Sequence, residues 1–133
     1  MAESSTHWLR RPALLALGAY WLLLYTSTHW PQPPAKLLSH SDKLIHAVAY
    51  CILAVLIAVN VALRTRLTWR HYRLIVLGLA AFGAFDEITQ IPIGRHCDAK
   101  DWLADMAGTA IALTIVAIGL SLLARANRSA AQL

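Results

Sequence analysis

Long apolar runs separated by short polar segments dominate the hydropathy pattern of this chain. A helix rises about 1.5 Å per residue, so about 20 apolar residues cross a hydrocarbon core about 30 Å thick. Four runs approach that length, and the segment PQPP at 31–34 and the break IPIG at 91–94 interrupt them. We therefore predict an all-α fold, a bundle of four transmembrane helices at about residues 12–30, 44–63, 74–91 and 102–124.

The first run also fits a cleavable signal peptide, in which a basic segment precedes a short apolar core. Residues 26–28 (TST) make a poor cleavage site, however, and aromatic residues such as Trp8 and Trp30 are typical of anchors at a membrane interface. Pro12 suits the first turn of a helix that follows two arginines. We predict that this first span is retained.

Composition supports one membrane domain, residues 1–133. Hydrophobic residues make up 58% of the chain and charged residues 14%, and the apolar residues come in blocks. In a soluble protein the net charge of +5 would suggest nucleic acid as a partner. Here the arginines flank apolar runs and form no basic face with interleaved aromatics, so we predict no nucleic-acid partner.

The arginines also predict the orientation of the chain. Eight of them fall on one side of the predicted spans: Arg10, Arg11, Arg64, Arg66, Arg70, Arg73, Arg125 and Arg128. The positive-inside rule therefore places both termini and the basic loop 64–73 in the cytoplasm. The loops 31–43 and 92–102 are then expected to face outward.

Polar side chains collect at the outward end of three of these spans. Glu87, for example, lies about 20 Å along a helix from the cytoplasmic end at Arg73, in the outer third of the membrane. Ionisable groups at membrane depth are costly and are functional-site candidates by default. The predicted site comprises Asp42, Lys43, His46, Asp86, Glu87, Gln90, Arg95, Asp98, Asp101 and Asp105.

Spacing places several of these residues on shared helix faces. Asp42 and His46 are four residues apart, as are Asp86 and Gln90, so each pair shares a face. Two further carboxylates, at 98 and 101, are predicted to cap the fourth helix in water. Two ridges of small residues would let helices approach closely. These ridges are Ala54, Ala58 and Ala62, and Ala104, Gly108 and Ala112.

Two segments, DKLIHAVAY at 42–50 and DEITQIPIGRHCDAKDWLADMAG at 86–108, resemble the VanZ-like family of small bacterial membrane proteins. The family pattern runs Asp-Lys-x-x-His before one span, then Asp-Glu-x-x-Gln, an Arg, spaced acidic residues and a Gly. Asp105 stands where many relatives have Asn, and Ala47 where an aromatic residue often follows the His. The resemblance covers residues 42 to about 120. Its matches are Asp42, Lys43, His46, Asp86, Glu87, Gln90, Arg95, Asp98, Asp101 and Gly108.

This resemblance implies a multi-pass protein of the bacterial inner membrane with a role in the cell envelope. The founding member of the family is associated with resistance to the lipoglycopeptide antibiotic teicoplanin. The resemblance implies no defined reaction, so the chemistry has to be argued from the residues.

The first functional hypothesis is a site that binds or modifies a head group in the outer leaflet. The ligand would be a phospholipid, a polyprenyl phosphate or a glycopeptide-related molecule. Arg95 and Lys43 are suited to holding phosphate. Glu87, Asp86 and His46 are the candidates for a general acid or base.

Two other hypotheses remain open, and the residues do not separate an enzyme from a binding protein. One is a non-catalytic module that binds an envelope lipid, a drug or a partner protein. The other is a structural scaffold, in which carboxylates of the third helix pair with Arg95 or Lys43 and His46 bonds to Gln90.

We predict no cofactor. No loop has a recognisable metal-ligand spacing, so we predict no metal site, although the carboxylates could hold a divalent cation through oxygen ligands. The predicted partners are the lipid bilayer and an anionic lipid or envelope precursor.

Overall fold

The computed structural model describes residues 7–30, 41–94 and 97–131. This part of the chain forms four α-helices: α1 (His7–Thr28), α2 (Ser41–Ala62), α3 (Trp69–Gln90) and α4 (Ala99–Ala130). A 3-10 turn, Ile91–Ile93, follows α3. The predicted all-α fold with four helices is therefore confirmed. Arg95 and most of the loop predicted at 31–43 lie outside the described residues.

Three of the helices are long and apolar enough to cross a membrane, over Asp42–Ala62, Trp69–Ile93 and Ala99–Ala130. The first helix has the same length of 22 residues as α2 and α3, but its first turns carry Arg10 and Arg11. Because α1 already begins at His7, Pro12 lies in its second turn and not in the first turn, where we expected it. A fourth membrane crossing stays a prediction.

The basic loop between α2 and α3 is shorter than predicted. The third helix begins at Trp69, so Arg70 and Arg73 belong to its first two turns. Thr68 and His71 form a capping box, in which the backbone N–H of Thr68 donates to Nδ1 of His71 at 3.1 Å. Hydropathy cannot detect a polar first turn that a cap of this kind stabilises.

The most extensive helix interface in the described chain joins α2 to α4. Ala54, Ala58 and Ala112 are fully buried in it. Gly108 lies directly against the backbone of Ala47, and an added Cβ would overlap the Ala47 carbonyl. The two predicted ridges therefore allow close approach, as expected, with the exception of the exposed residue at 62.

Two hydrogen bonds fix the position of α1 along α2. The buried side-chain amide of Asn60 donates to the carbonyl of Ala13 at 2.9 Å. Further along α1, the hydroxyl of Tyr20 donates to the carbonyl of Ala49 at 3.0 Å. A buried polar group that loses its partner costs about 1–3 kcal/mol, so both contacts favour this one alignment of the helices.

The third helix contacts α4 differently at its two ends. Toward the end of α3, Nε1 of Trp102 donates to the carbonyl of Ala80 at 2.9 Å. Toward the start of α3, an apolar groove of about 600 Å³ separates the two helices, with Trp69, Val76 and Leu113 in its lining. The bundle is therefore closed at one end and open between α3 and α4 at the other.

Candidate functional site

Apart from Asn60 near the end of α2, the polar side chains that the described chain buries collect at one end of the bundle, where α1 and α3 end and α2 and α4 begin. Buried ionisable groups are expensive unless they are paired or hydrogen-bonded. Six of the predicted site residues are buried there, and three more, Asp42, Lys43 and Asp98, lie beside them. Nine of the ten predicted site residues therefore lie together, and the tenth, Arg95, lies outside the described residues. We call these nine the polar cluster: Asp42, Lys43, His46, Asp86, Glu87, Gln90, Asp98, Asp101 and Asp105.

His46 and Asp105 form a buried pair that joins α2 to α4. Nδ1 of His46 lies 3.0 Å from Oδ1 of Asp105, and Asp105 is only 2% exposed. A carboxylate that holds one ring nitrogen fixes the orientation of the imidazole and leaves Nε2 for another partner. The predicted bond between His46 and Gln90 was wrong, because Asp105 takes this place.

Lys43 is shared by two carboxylates of α4. Its Nζ donates to Oδ1 of Asp101 at 3.3 Å and lies 3.7 Å from Oδ2 of Asp98. The scaffold hypothesis paired a carboxylate of α3 with Arg95 or Lys43. Lys43 bonds to carboxylates at the start of α4 instead, and Arg95 lies outside the described residues. Asp101 is buried, against our expectation of a cap in water, because the first turn of α2 packs over it.

The start of α4 is held by two carboxylates. Asp98 is its N-cap, as predicted, and accepts the backbone N–H of Lys100 at 2.9 Å. This N–H holds the pKa of Asp98 below its usual value of 3.8. The backbone N–H of Asp98 itself donates to Oε2 of Glu87 at 2.9 Å. Gly94 precedes this contact with φ of 81°, a conformation that favours glycine.

Asp86 is surrounded by donors from two helices. Nε2 of Gln90 donates to its Oδ2 at 3.0 Å, which confirms the predicted pair, and Oγ1 of Thr28 donates to its Oδ1 at 2.9 Å. Nδ1 of His29 lies 3.6 Å from the same Oδ1, and Nε2 of His29 lies 3.0 Å from Oγ1 of Thr89. The sequence-based site omitted Thr28 and His29, although their position at the end of the first predicted span placed them at the predicted depth of Asp86.

Tyr50 is a third residue that sequence reasoning missed. It is 1% exposed, and its hydroxyl has no hydrogen-bond partner among the residues that the structure describes. A Cβ added to Gly83 would lie 3.2 Å from this hydroxyl and 3.3 Å from Oδ2 of Asp105. Both oxygens therefore lie close to Gly83 of α3. The available signal was spacing, since Asp42, His46 and Tyr50 recur every four residues on α2.

One group in the polar cluster has the geometry of metal ligands. A ring nitrogen of His46 and one carboxylate oxygen each of Asp42 and Asp101 lie within 4.8 Å of one another. Imidazole nitrogen and carboxylate oxygen are common ligands of divalent metals. A search for metal-ligand spacing within single loops could not find this group, because its members come from two helices.

No protein-family model, curated protein or solved structure matches this chain. The resemblance to the VanZ-like family therefore stays a prediction that rests on the segments 42–50 and 86–108.

Proposed function

We propose that this protein crosses a bacterial inner membrane four times, with both termini in the cytoplasm and the polar cluster near the outer leaflet. Three apolar helices of sufficient length support this arrangement. The 22 residues of α1 span about 33 Å, enough for a fourth crossing. Contacts of α1 at Ala13, Tyr20 and Thr28 show that it runs beside the other helices from one end of the bundle to the other.

Reporter fusions test this topology. An enzyme that is active only outside the cytoplasm should stay silent when it is fused after Thr65 or at the C-terminus, and should be active when it is fused within 94–100. The positive-inside rule is the physical reason. The reverse pattern would move the polar cluster to the cytoplasmic leaflet and refute the proposed orientation.

We further propose that the polar cluster binds the head group of an outer-leaflet lipid or of a lipid-linked envelope precursor. The observation that carries this proposal is the convergence of buried ionisable groups at the membrane-interface end of the bundle. The contact of Gly108 with Ala47 already sets the spacing of α2 and α4, so helix position alone does not account for so many costly groups. The resemblance to VanZ-like proteins supports an envelope role, including one in teicoplanin resistance.

The chemistry open to the site is proton transfer. Asp105 orients His46 so that Nε2 can accept or donate a proton, which is the geometry of a general base or acid. Glu87 and Asp86 are the other candidates, and each keeps one oxygen on a donor from a different helix or turn. In this reading the polar cluster acts on the bound head group, and Lys43 attracts its phosphate.

A structural scaffold is the second candidate function. The observation that favours it is that Asp86, Glu87 and Asp105 all have partners within the protein. A cluster whose members satisfy one another can specify helix positions without any ligand.

Lipid retention separates the head-group site from the scaffold. Native mass spectrometry of the purified protein with phosphatidylglycerol should show several-fold lower retention for Lys43→Ala than for the wild type. Lys100→Ala is the matched control, because it removes the same charge from an exposed position two residues from the Asp98 cap. Equal retention by all three proteins would refute an anionic head-group site and leave the scaffold as the better account.

Two conservative substitutions test whether the polar cluster catalyses a reaction or only binds a ligand. Glu87→Gln and Asp86→Asn keep the size of the side chain but alter its acid–base chemistry. If the site is catalytic, these variants should lose the envelope phenotype, scored as growth in teicoplanin, while they retain phosphatidylglycerol. A phenotype that survives both changes would favour a non-catalytic binder.

A further inference from the structure

Three side chains with metal-binding atoms meet at the outward end of the α2–α4 interface. Asp42 and His46 lie one turn apart on α2, and Asp101 lies in the first turn of α4. Their ligand atoms lie within 4.8 Å of one another. The spacing between the two helices is set a little deeper in the bundle, where Gly108 lies against the backbone of Ala47. The group is therefore built on rigid elements.

The surroundings of His46 match those of a metal ligand. Its Nδ1 is held by Asp105 at 3.0 Å, which leaves Nε2 to take a further partner. Histidines that bind metals almost always donate their second ring N–H to a carboxylate, a carbonyl or water, and this bond fixes the ring and raises its basicity. Asp105 occupies that supporting position here.

Tyr50 lies one turn deeper than the ligand group, beside the supporting residue Asp105. Its hydroxyl is buried at 1% exposure and finds no partner in the described chain. It lies one turn below His46 on the same face of α2, and it borders the point that Oδ2 of Asp105 also borders. A buried hydroxyl is normally satisfied by protein or by an ordered water. This hydroxyl and Oδ2 of Asp105 therefore meet beside Gly83 of α3, so an ordered water there would satisfy Tyr50 next to the residue that supports His46.

We propose that Asp42, His46 and Asp101 bind a divalent transition-metal ion, of the Mn²⁺ or Zn²⁺ class, with Asp105 as the positioning residue for His46. One imidazole and two carboxylates suit these ions better than Mg²⁺ or Ca²⁺, which take oxygen ligands. Three protein ligands leave coordination positions open to water or to a phosphate oxygen. The identity of that phosphate rests on the proposed function, whereas binding of the ion alone does not.

The ion also accounts for the charge of the polar cluster. The polar cluster contains six carboxylates and one lysine, Lys43, which already bonds to Asp101 and approaches Asp98. An excess of negative charge would repel an anionic head group. A bound divalent ion reverses this balance locally and offers the phosphate a direct ligand. Because Lys43 donates to Asp101, its ammonium group competes with the ion for that carboxylate.

Titration with Mn²⁺ tests the site without any lipid. The full chain, purified in detergent and stripped with a chelator, is titrated with Mn²⁺ alone while electron paramagnetic resonance measures the free ion. We expect one ion per chain, and an affinity about 10–100-fold lower in Asp105→Asn, with a loss at least as large in Asp42→Asn and His46→Gln. Asp98→Asn is the matched control, because it removes the same charge nearby but lies outside the ligand group.

The outcomes separate the two proposals. Asp42 is only partly buried in the first turn of α2, so Asp42→Asn should elute like the wild type on size exclusion and still lose Mn²⁺. Lys43→Gln should bind Mn²⁺ at least as tightly as the wild type but retain less phosphatidylglycerol. No Mn²⁺ binding by the wild type, or equal losses in Asp42→Asn and Asp98→Asn, would overturn the metal site and leave the lipid result standing. Mn²⁺ binding without lipid retention would refute the head-group proposal alone.

Discussion

The two ends of the bundle hold their helices together by different means. At the polar end, hydrogen bonds between buried side chains join α1 to α3 and α2 to α4, as Thr28 with Asp86 and His46 with Asp105 illustrate. At the arginine-rich end, a groove of about 600 Å³ separates α3 from α4, and most of α4 from Thr114 onward is exposed. The polar end therefore specifies how α3 and α4 are arranged, whereas at the other end Asn60 holds α1 to α2 and α3 lies apart from α4.

The physical reason lies in the proposed environment. Lipid tails are as apolar as the side chains they contact, so burial alone does not drive transmembrane helices together. Close packing of small residues and interhelical hydrogen bonds remain, and both are concentrated toward the polar end. Substitutions should therefore cost most near Gly108 and His46, and least along the groove.

The largest loss is expected for Gly108→Ala. Its Cβ would overlap the Ala47 carbonyl, which is backbone and cannot rotate away, so α2 and α4 must move apart. Overpacking against side chains costs about 1–3 kcal/mol, and because the obstacle here is backbone we expect a loss of more than about 3 kcal/mol, measurable as thermal unfolding in detergent by circular dichroism. Gly119→Ala on the same helix is the control: no atom of the described chain comes within 4 Å of the new Cβ. It should gain up to about 1 kcal/mol of helix propensity.

A second loss is expected when the His46–Asp105 pair is broken. Removal of one partner from a buried charged pair leaves the other uncompensated and costs about 3 kcal/mol. Replacement of both by apolar residues, as in His46→Phe with Asp105→Leu, should cost less than the sum of the single changes. The coupling free energy in this double-mutant cycle should exceed about 1 kcal/mol. Additive losses would show that the two side chains do not meet.

A smaller loss is expected at the opposite end from Asn60→Leu. This change keeps the size of the side chain but removes the hydrogen bond to Ala13, at a cost of about 1 kcal/mol. Thr114→Val is the control, since the hydroxyl of Thr114 bonds only within its own helix, to Ala110, and is exposed. Equal unfolding temperatures for the two variants would indicate that α1 is not held by Asn60.

The smallest effect is expected in the groove itself. Ala117→Leu adds apolar volume to an open, lipid-facing surface, so the free energy of unfolding should change by less than about 0.5 kcal/mol. A loss comparable to that of Gly108→Ala would mean that α3 and α4 are closely packed at both ends, and the contrast between the ends would disappear.

Hydropathy was sufficient to predict the number of helices but not where they begin. The predicted spans start at 12, 74 and 102, whereas the helices start at His7, Trp69 and Ala99. Apolar runs mark where a chain meets lipid, and a polar first turn outside that zone leaves no hydropathy signal. The cap of α3 by Thr68 shows how such a turn is stabilised.

The residues of the site could be predicted from the sequence, but most of the hydrogen bonds between them could not. The Asp86–Gln90 bond follows from helical spacing within α3. The bond between His46 and Asp105 depends on how two helices are rotated and shifted against each other, which no spacing within one helix determines. Tyr50 was overlooked because a tyrosine in an apolar span usually indicates packing or an interface anchor.

The hydrogen-bond donors to the two carboxylates of α3 are synthesised at different times. Asp86 takes its hydrogen bond from Thr28, which precedes α3, whereas Glu87 takes its hydrogen bond from Asp98, which follows it. When α3 emerges from the ribosome, the partner of Asp86 has already been made, and the partner of Glu87 has not. A chain that stops before α4 would therefore carry an unsatisfied carboxylate into the membrane. In an unfinished copy of this protein, Glu87 would lack the backbone donor that Asp98 supplies.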